Sequence, residues 1–253
     1  LRLQLATWPD VEAYLGRSTA IIIPIGSTEQ HGPNGLIGTD SICPETVAFG
    51  VAAETEVMVA PTLSIGMAQH HMAFPGTITL RPTTLIAVIR DVVGSLARHG
   101  FDRFLFLNGH GGNIPTINAA FSELYADVGL GSEPAGRPAI RCRLHNWFIG
   151  PQVRAVSKEL YGDAEGSHAT PSEVSLSWYA HPAAARPEVT MSPKIAPRGS
   201  IRDALDYRRQ FPDGRIGSDP TLASVAHGER LFRASVADTL AELRAMTGEG
   251  GAG

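Results

Sequence analysis

The chain has 253 residues, with 21 basic and 25 acidic side chains and a formal net charge of −4. That length accommodates one large domain with a real core or two small ones, and 43% apolar with 18% charged residues is ordinary for a globular protein. The slightly acidic balance carries no electrostatic footprint for nucleic acid or an anionic membrane surface, so neither partner is expected.

Cys43 and Cys142 lie far apart and form no CxxC pair, which excludes a thiolate zinc motif and favours a reduced, cytoplasmic compartment. No apolar run reaches membrane-spanning length. Residues 1–20 lack the basic start and apolar stretch of a signal peptide. One domain over 1–246 is expected, followed by a flexible Gly-rich tail at 247–253.

Along the chain, residues 10–17 read as a short helix, with Asp10 as N-cap and Gly16 as stop. Ala20 to Ile25 is a continuous apolar, β-branched run, as in a strand covered on both faces. A helix is predicted over Pro44 to Glu54, then a short strand over Val57 to Ala60. A loop from Pro61 to Pro75 carries Gln69-His70-His71, and Ile78 to Leu80 reads as a short strand. Thr83 to His99 has helical periodicity, closed by Gly100.

Phe101 to Leu107 is a third strand, followed at once by Asn108-Gly109-His110-Gly111-Gly112-Asn113. A helix over Pro115 to Asp127, a strand over Ala139 to Asn146, and helices over Val153 to Tyr161, Pro171 to Tyr179 and Ala223 to Met246 complete the pattern. The stretch from His181 to Gly217 is the least regular. Strands alternating with helices predict an α/β fold with a mainly parallel sheet.

Three segments carry candidate chemistry. Glu29-Gln30-His31 and Asp40 follow the first strand, where open α/β sheets place their ligand sites. A carboxylate and an imidazole two residues apart share one side of an extended segment, and carboxylate with imidazole is the donor set of a catalytic zinc, manganese or iron site. The competing reading is a polar loop with a helix-capping Asp40. His110 lies between glycines after a strand, where backbone can approach a ligand; the competing reading is an incidental histidine in a tight turn. In the third segment, Glu165 to Glu173, Pro171 suits a first helical turn. His168 and Glu173 can then face one pocket, or Glu173 can serve only the helix dipole. There is no GxSxG elbow, no GxGxxG and no P-loop, which argues against a serine triad and a nucleotide site. His99, His181 and His227 have no clustered partners and read as surface or packing residues, whereas His145 and Trp147 end a predicted strand near the pocket. The arginines at 198, 202, 208, 209 and 215 read as a solvated face, the competing readings being a site for an anionic substrate or for a neighbouring subunit.

The segments Gly26-Ser27-Thr28-Glu29-Gln30-His31-Gly32-Pro33 with Thr39-Asp40, Phe74-Pro75-Gly76-Thr77, Asn108 to Asn113, and His168-Ala169 with Glu173 resemble the creatininase (creatinine amidohydrolase) family, in the family's order and over roughly residues 5–245. The resemblance implies a three-layer α/β/α fold, two divalent metal ions (zinc, manganese or iron), a small-molecule amide substrate and a homo-oligomer, often a hexamer. It implies Glu29, His31, Asp40, His110 and Glu173 as metal ligands and His168 as the catalytic histidine, and His71 matches a family histidine; His71 and, from its place at a strand end, Trp147 are the expected substrate-binding residues. The reaction implied is hydrolysis of an amide-type C–N bond, as in creatinine. A formamide deformylase, a precursor-peptide peptidase and a non-catalytic metal- or ligand-binding homologue remain as alternatives. The chain departs from the family pattern at Gly112, where creatininase has a glutamate ligand, and at Asn34, His70 and Thr170.

Overall fold

Four strands form an all-parallel sheet in the order β2-β1-β3-β4, in a computed structural model that describes residues 1–131 and 139–248. These are β1 (Ala20–Ile25), β2 (Met58–Val59), β3 (Arg103–Asn108) and β4 (Arg141–Asn146). Every residue of β1 is buried, because helices cover both sheet faces. Alternation sorts the strand side chains: Ile22, Leu105 and Leu107 face one core cluster, and Ile21, Ile23, Phe104 and Phe106 face the other.

The first cluster is closed by α2 (Thr39–Thr55), α5 (Pro151–Tyr161), α6 (Pro171–Ala180) and α8 (Val225–Thr247). The second is closed by α1 (Trp8–Leu15), α3 (Pro82–Arg98) and α4 (Ile114–Gly129). The result is the expected three-layer α/β/α arrangement. Among the described residues no helix is long and apolar enough to cross a membrane.

Several boundaries differ from the sequence reading. Helix α1 starts earlier, capped by Thr7 with Asp10 closing a capping box from its third position. Helix α2 begins at Thr39 rather than Pro44, which sits inside it. Ile78 makes only an isolated bridge to Thr28. The irregular stretch after His181 contains a further helix, α7 (Ala204–Gln210), and α8 runs to Thr247 with Gly248 as a left-handed cap. The rest of the expected tail, 249–253, lies outside the described residues.

Proline inside α2 has a local use. Without an N–H, Pro44 leaves the Asp40 carbonyl free of its helical bond. Gly26 at the end of β1 and Gly109 after β3 press their Cα atoms onto that carbonyl, and a Cβ at either position would collide with it. The strand ends and the start of α2 are thereby packed at one point.

Candidate metal centre

The residues singled out in sequence converge beyond the carboxyl ends of β1 and β3. Glu29 and His31 follow β1, Asp40 is the second residue of α2, His110 follows β3, and Glu173 lies in the first turn of α6. Their donor atoms fall into groups lying within 4.8 Å: Glu29–Asp40–His110, His31–Asp40–Glu173 and Glu29–His31–His168.

Asp40 joins the first two groups. Its Oδ1 is 3.0 Å from His31 Nε2, and its Oδ2 is 3.0 Å from His110 Nδ1. Glu29 Oε1 lies 3.3 Å from His110 Nδ1, and Glu173 Oε2 lies 4.0 Å from His31 Nε2. Glu173 Oε1 accepts the Thr170 N–H in a capping box while Oε2 faces the cluster.

The imidazoles are oriented from behind. His31 Nδ1 is 3.1 Å from the Glu29 carbonyl, and His110 Nε2 is 3.0 Å from the Met67 carbonyl. A carbonyl only accepts, so each of these nitrogens carries its proton and the opposite nitrogen faces the carboxylates. Gly112 matters here, because a Cβ there would strike His110 Nε2. His168 presents Nδ1 at 3.9 Å from Glu29 Oε1 and holds Nε2 2.8 Å from the Gln30 carbonyl.

Burial and mutual charge set the protonation of the metal-free cluster. Burial opposes a charge on His31, but Asp40, Glu173 and Glu29 outweigh it and raise its pKa to about 10. His110 rises to about 9 for the same reason, burial being overcome by Glu29 and Asp40. Burial would raise Asp40, yet His31 and His110 hold its carboxyl far below the usual range. Burial pushes Glu173 up to about 7 against the pull of His31. Burial, with His71 and His31 nearby, pushes His168 well below its ordinary value.

A cation fits this arrangement. Glu29 Oε1 and Asp40 Oδ2 are buried and accept no hydrogen bond, even where an imidazole nitrogen approaches closely. Buried carboxylate oxygens without donors are costly unless a positive charge compensates them. The carboxylate and imidazole donors suit zinc, manganese or iron.

The two expected substrate residues sit differently. Trp147 lines a cavity of about 580 Å³ that also opens onto Asp40, His110, His168 and Glu173, although the side chain is only 1% exposed. His71 is not on that wall. It stands behind Glu29, with Nε2 2.9 Å from Oε1, and burial together with neighbouring histidines lowers its pKa to about 2. His145 is buried but is likewise not among the residues lining this cavity.

Sequence reasoning missed the supporting layer. The side chain of Gln30, between Glu29 and His31 in sequence, donates to the Gly214 carbonyl at 3.0 Å, with its amide nitrogen 2.9 Å from His168 Nε2, 3.1 Å from His71 Nδ1 and 3.1 Å from the Tyr207 hydroxyl. Tyr207 comes from α7, which the sequence left unassigned, so no signal pointed to it. Arg215 is corrected outright: it is fully buried, not solvated. Its guanidinium binds Asp213 and the carbonyls of Pro193, Lys194 and Ser218. This anchors the loop whose Ile216 N–H and Ser218 hydroxyl both donate to the His168 carbonyl.

Comparison with known proteins identifies the family and the fold. The profile of the Creatininase family (creatinine amidohydrolase) matches residues 4–243. A mycofactocin precursor peptide peptidase from Mycolicibacterium smegmatis is 28% identical over 221 residues, covering 84% of this chain and 79% of that protein. A creatinine amidohydrolase from Pseudomonas putida is 32% identical over 133 residues, covering 48% of this chain and 51% of that protein. The solved structure "Creatininase Mn" superposes with a TM-score of 0.82 at 24% identity, covering 96% of this chain and 97% of that one. With its profile matched over nearly the whole length, the chain belongs to the creatininase family.

Proposed function

We propose that the protein is a metal-dependent hydrolase of amide-type C–N bonds holding two divalent ions, zinc, manganese or iron. The observation that carries this reading is the shared carboxylate: Asp40 faces Glu29 and His110 with one group and His31 and Glu173 with the other. Glu29, Asp40 and His110 would hold one ion, and His31, Asp40 and Glu173 the second. When bound, such ions supply Lewis acidity that polarises a carbonyl and makes water a nucleophile at neutral pH.

The chain's own residues do the rest. His168, neutral in its pocket, holds an unprotonated Nδ1 toward the cluster and exchanges a proton there with water or the leaving nitrogen. His71 stands behind Glu29 and Trp147 forms part of the cavity wall. Apolar side chains exposed near the site, Ile37, Met72 and Ile78, support a homo-oligomer, which light scattering after size exclusion tests.

Within the family, a precursor-peptide peptidase is the reading the cavity favours over creatinine. A volume of about 580 Å³ suits a drug-sized or peptidic ligand rather than one small ring, and Gly112 offers no carboxylate. The test is a panel of creatinine, formamidopyrimidines, short peptides and lactams on zinc-, manganese- and iron-loaded protein. Hydrolysis of peptides without creatinine turnover supports the peptidase reading. Metal binding with no hydrolysis of any member supports a non-catalytic homologue.

A further inference from the structure

Helix α5 brings two cations to the cavity beside the metal centre that no partner uses among the described residues. Arg154 and Lys158 are one helical turn apart, so they share a face of α5, and both line the cavity that reaches Asp40, His110 and His168. Both are exposed, and neither forms an ion pair or side-chain hydrogen bond among the described residues. Exposed and unpaired on the wall of this cavity, the two cations are available to an anionic group that enters it.

We propose that Arg154 and Lys158 bind a carboxylate carried by the substrate, so that the enzyme acts on carboxylate-bearing amides such as N-acyl amino acids or the free C-terminal end of a peptide. This rests on the hydrolase reading above and narrows its substrate class.

The surroundings select a carboxylate over a phosphate. Phosphate sites at a helix start draw on free backbone N–H groups as well as side chains. At the start of α5 those groups are already taken, because the Asp238 carboxylate accepts the N–H groups of Gln152 and Val153. What remains is one guanidinium fork and one ammonium, which match a single carboxylate. A carboxylate-bearing amide thus meets a cation pair on one wall and the metal-ligand cluster on the other.

The test compares matched substrates on metal-loaded protein: N-acetylated amino acids and peptides with free C-termini, each against its C-terminal carboxamide. The free acid is expected to show a kcat/KM roughly tenfold higher, the scale of charge-assisted hydrogen bonds at a partly exposed site. In the double variant R154Q/K158Q that ratio falls to about one, and its salt dependence disappears. Small acyl amino acids and peptides are separate arms, and whichever shows the ratio identifies the source of the carboxylate. Equal rates for acid and carboxamide in the wild type, or a preference that survives in the double variant, overturn the inference while leaving the hydrolase reading intact. Should no amide turn over, the hydrolase reading fails, and calorimetric titration of N-acetylated amino acids decides the binding site. Weaker binding to the double variant than to the wild type then sustains it, and equal binding overturns it.

Discussion

His168 Nε2 lies 2.8 Å from the Gln30 carbonyl, which favours a proton on that nitrogen, and 2.9 Å from the Gln30 side-chain nitrogen, while Nδ1 turns toward Glu29. His168 is thus a base whose tautomer is favoured by the backbone of the ligand motif itself. On zinc-loaded protein, nitrogen-15 shifts of His168 should report a protonated Nε2 and a free Nδ1. His168→Ala should lower kcat by about 10²–10⁴-fold, the usual contribution of a positioned acid–base group, with metal content unchanged. Loss of metal in that variant would instead make His168 a ligand.

Substitutions around the shared carboxylate should separate the two sites. Asp40→Ala removes a donor from both groups and should strip both ions. His110→Ala and His31→Ala each remove a donor from one group and should each spare the other ion. Metal content by plasma mass spectrometry, one variant at a time, reads this directly. Equal metal loss in all three variants would contradict two sites.

The metal-free cluster predicts a pH dependence with a definite sign. His31 and His110 have pKa values of about 10 and about 9 in the folded chain, above the unfolded histidine value of about 6.5. Their stabilisation is complete below about pH 6.5 and is lost as pH rises through 9 and 10. Glu173, raised to about 7, acts in the same direction between its unfolded value and neutrality. Thermal melts in chelator should therefore fall from pH 7 to pH 10. Metal needs both imidazoles neutral, so loading near pH 7 should release about two protons, measurable by calorimetry in buffers of different ionisation enthalpy.

Glu173 divides its oxygens between a helix cap and the cluster, and the two duties can be separated. Glu173→Ala should cost about 1 kcal/mol through the lost capping box, in addition to metal at one site. Glu173→Gln keeps an acceptor for the Thr170 N–H and should retain most of that stability while still weakening metal binding. Melting of both variants in chelator isolates the capping share.

Restoring the family glutamate should fail in this chain. In Gly112→Glu the new Cβ meets His110 Nε2, which the Met67 carbonyl holds in place. The ring must leave that hydrogen bond, worth about 1 kcal/mol, so His110 is displaced before the new carboxylate can bind. Lower metal content without creatinine turnover is the expected result.

The sheet was legible because Ala20–Ile25 and the stretch 104–107 are buried on both faces and read as apolar runs. The ligand candidates were legible because each follows a strand or opens a helix. The start of α2 was not, because Pro44 imitates a first-turn proline while Thr39 and Asp40 already belong to the helix. Tyr207 and Arg215 were not, because their roles depend on where a Pro- and Gly-rich stretch folds back against Gln30 and His168. Periodicity carries no information on such returns.

The packing of Gly26 and Gly109 on the Asp40 carbonyl has a consequence for how this scaffold can change. The segments that deliver Glu29, Asp40 and His110 are pinned together by backbone, with no side chain intervening. The wall made by α5 and Glu165 shares none of that packing and attaches through α8 and α6. Residues on the wall can therefore be exchanged, lengthened or recharged while the ligand spacing stays constant. A library confined to the exposed wall positions 149, 154 and 158 should yield altered substrate ranges on an undisturbed metal centre, whereas any side chain introduced at 26 or 109 should abolish it.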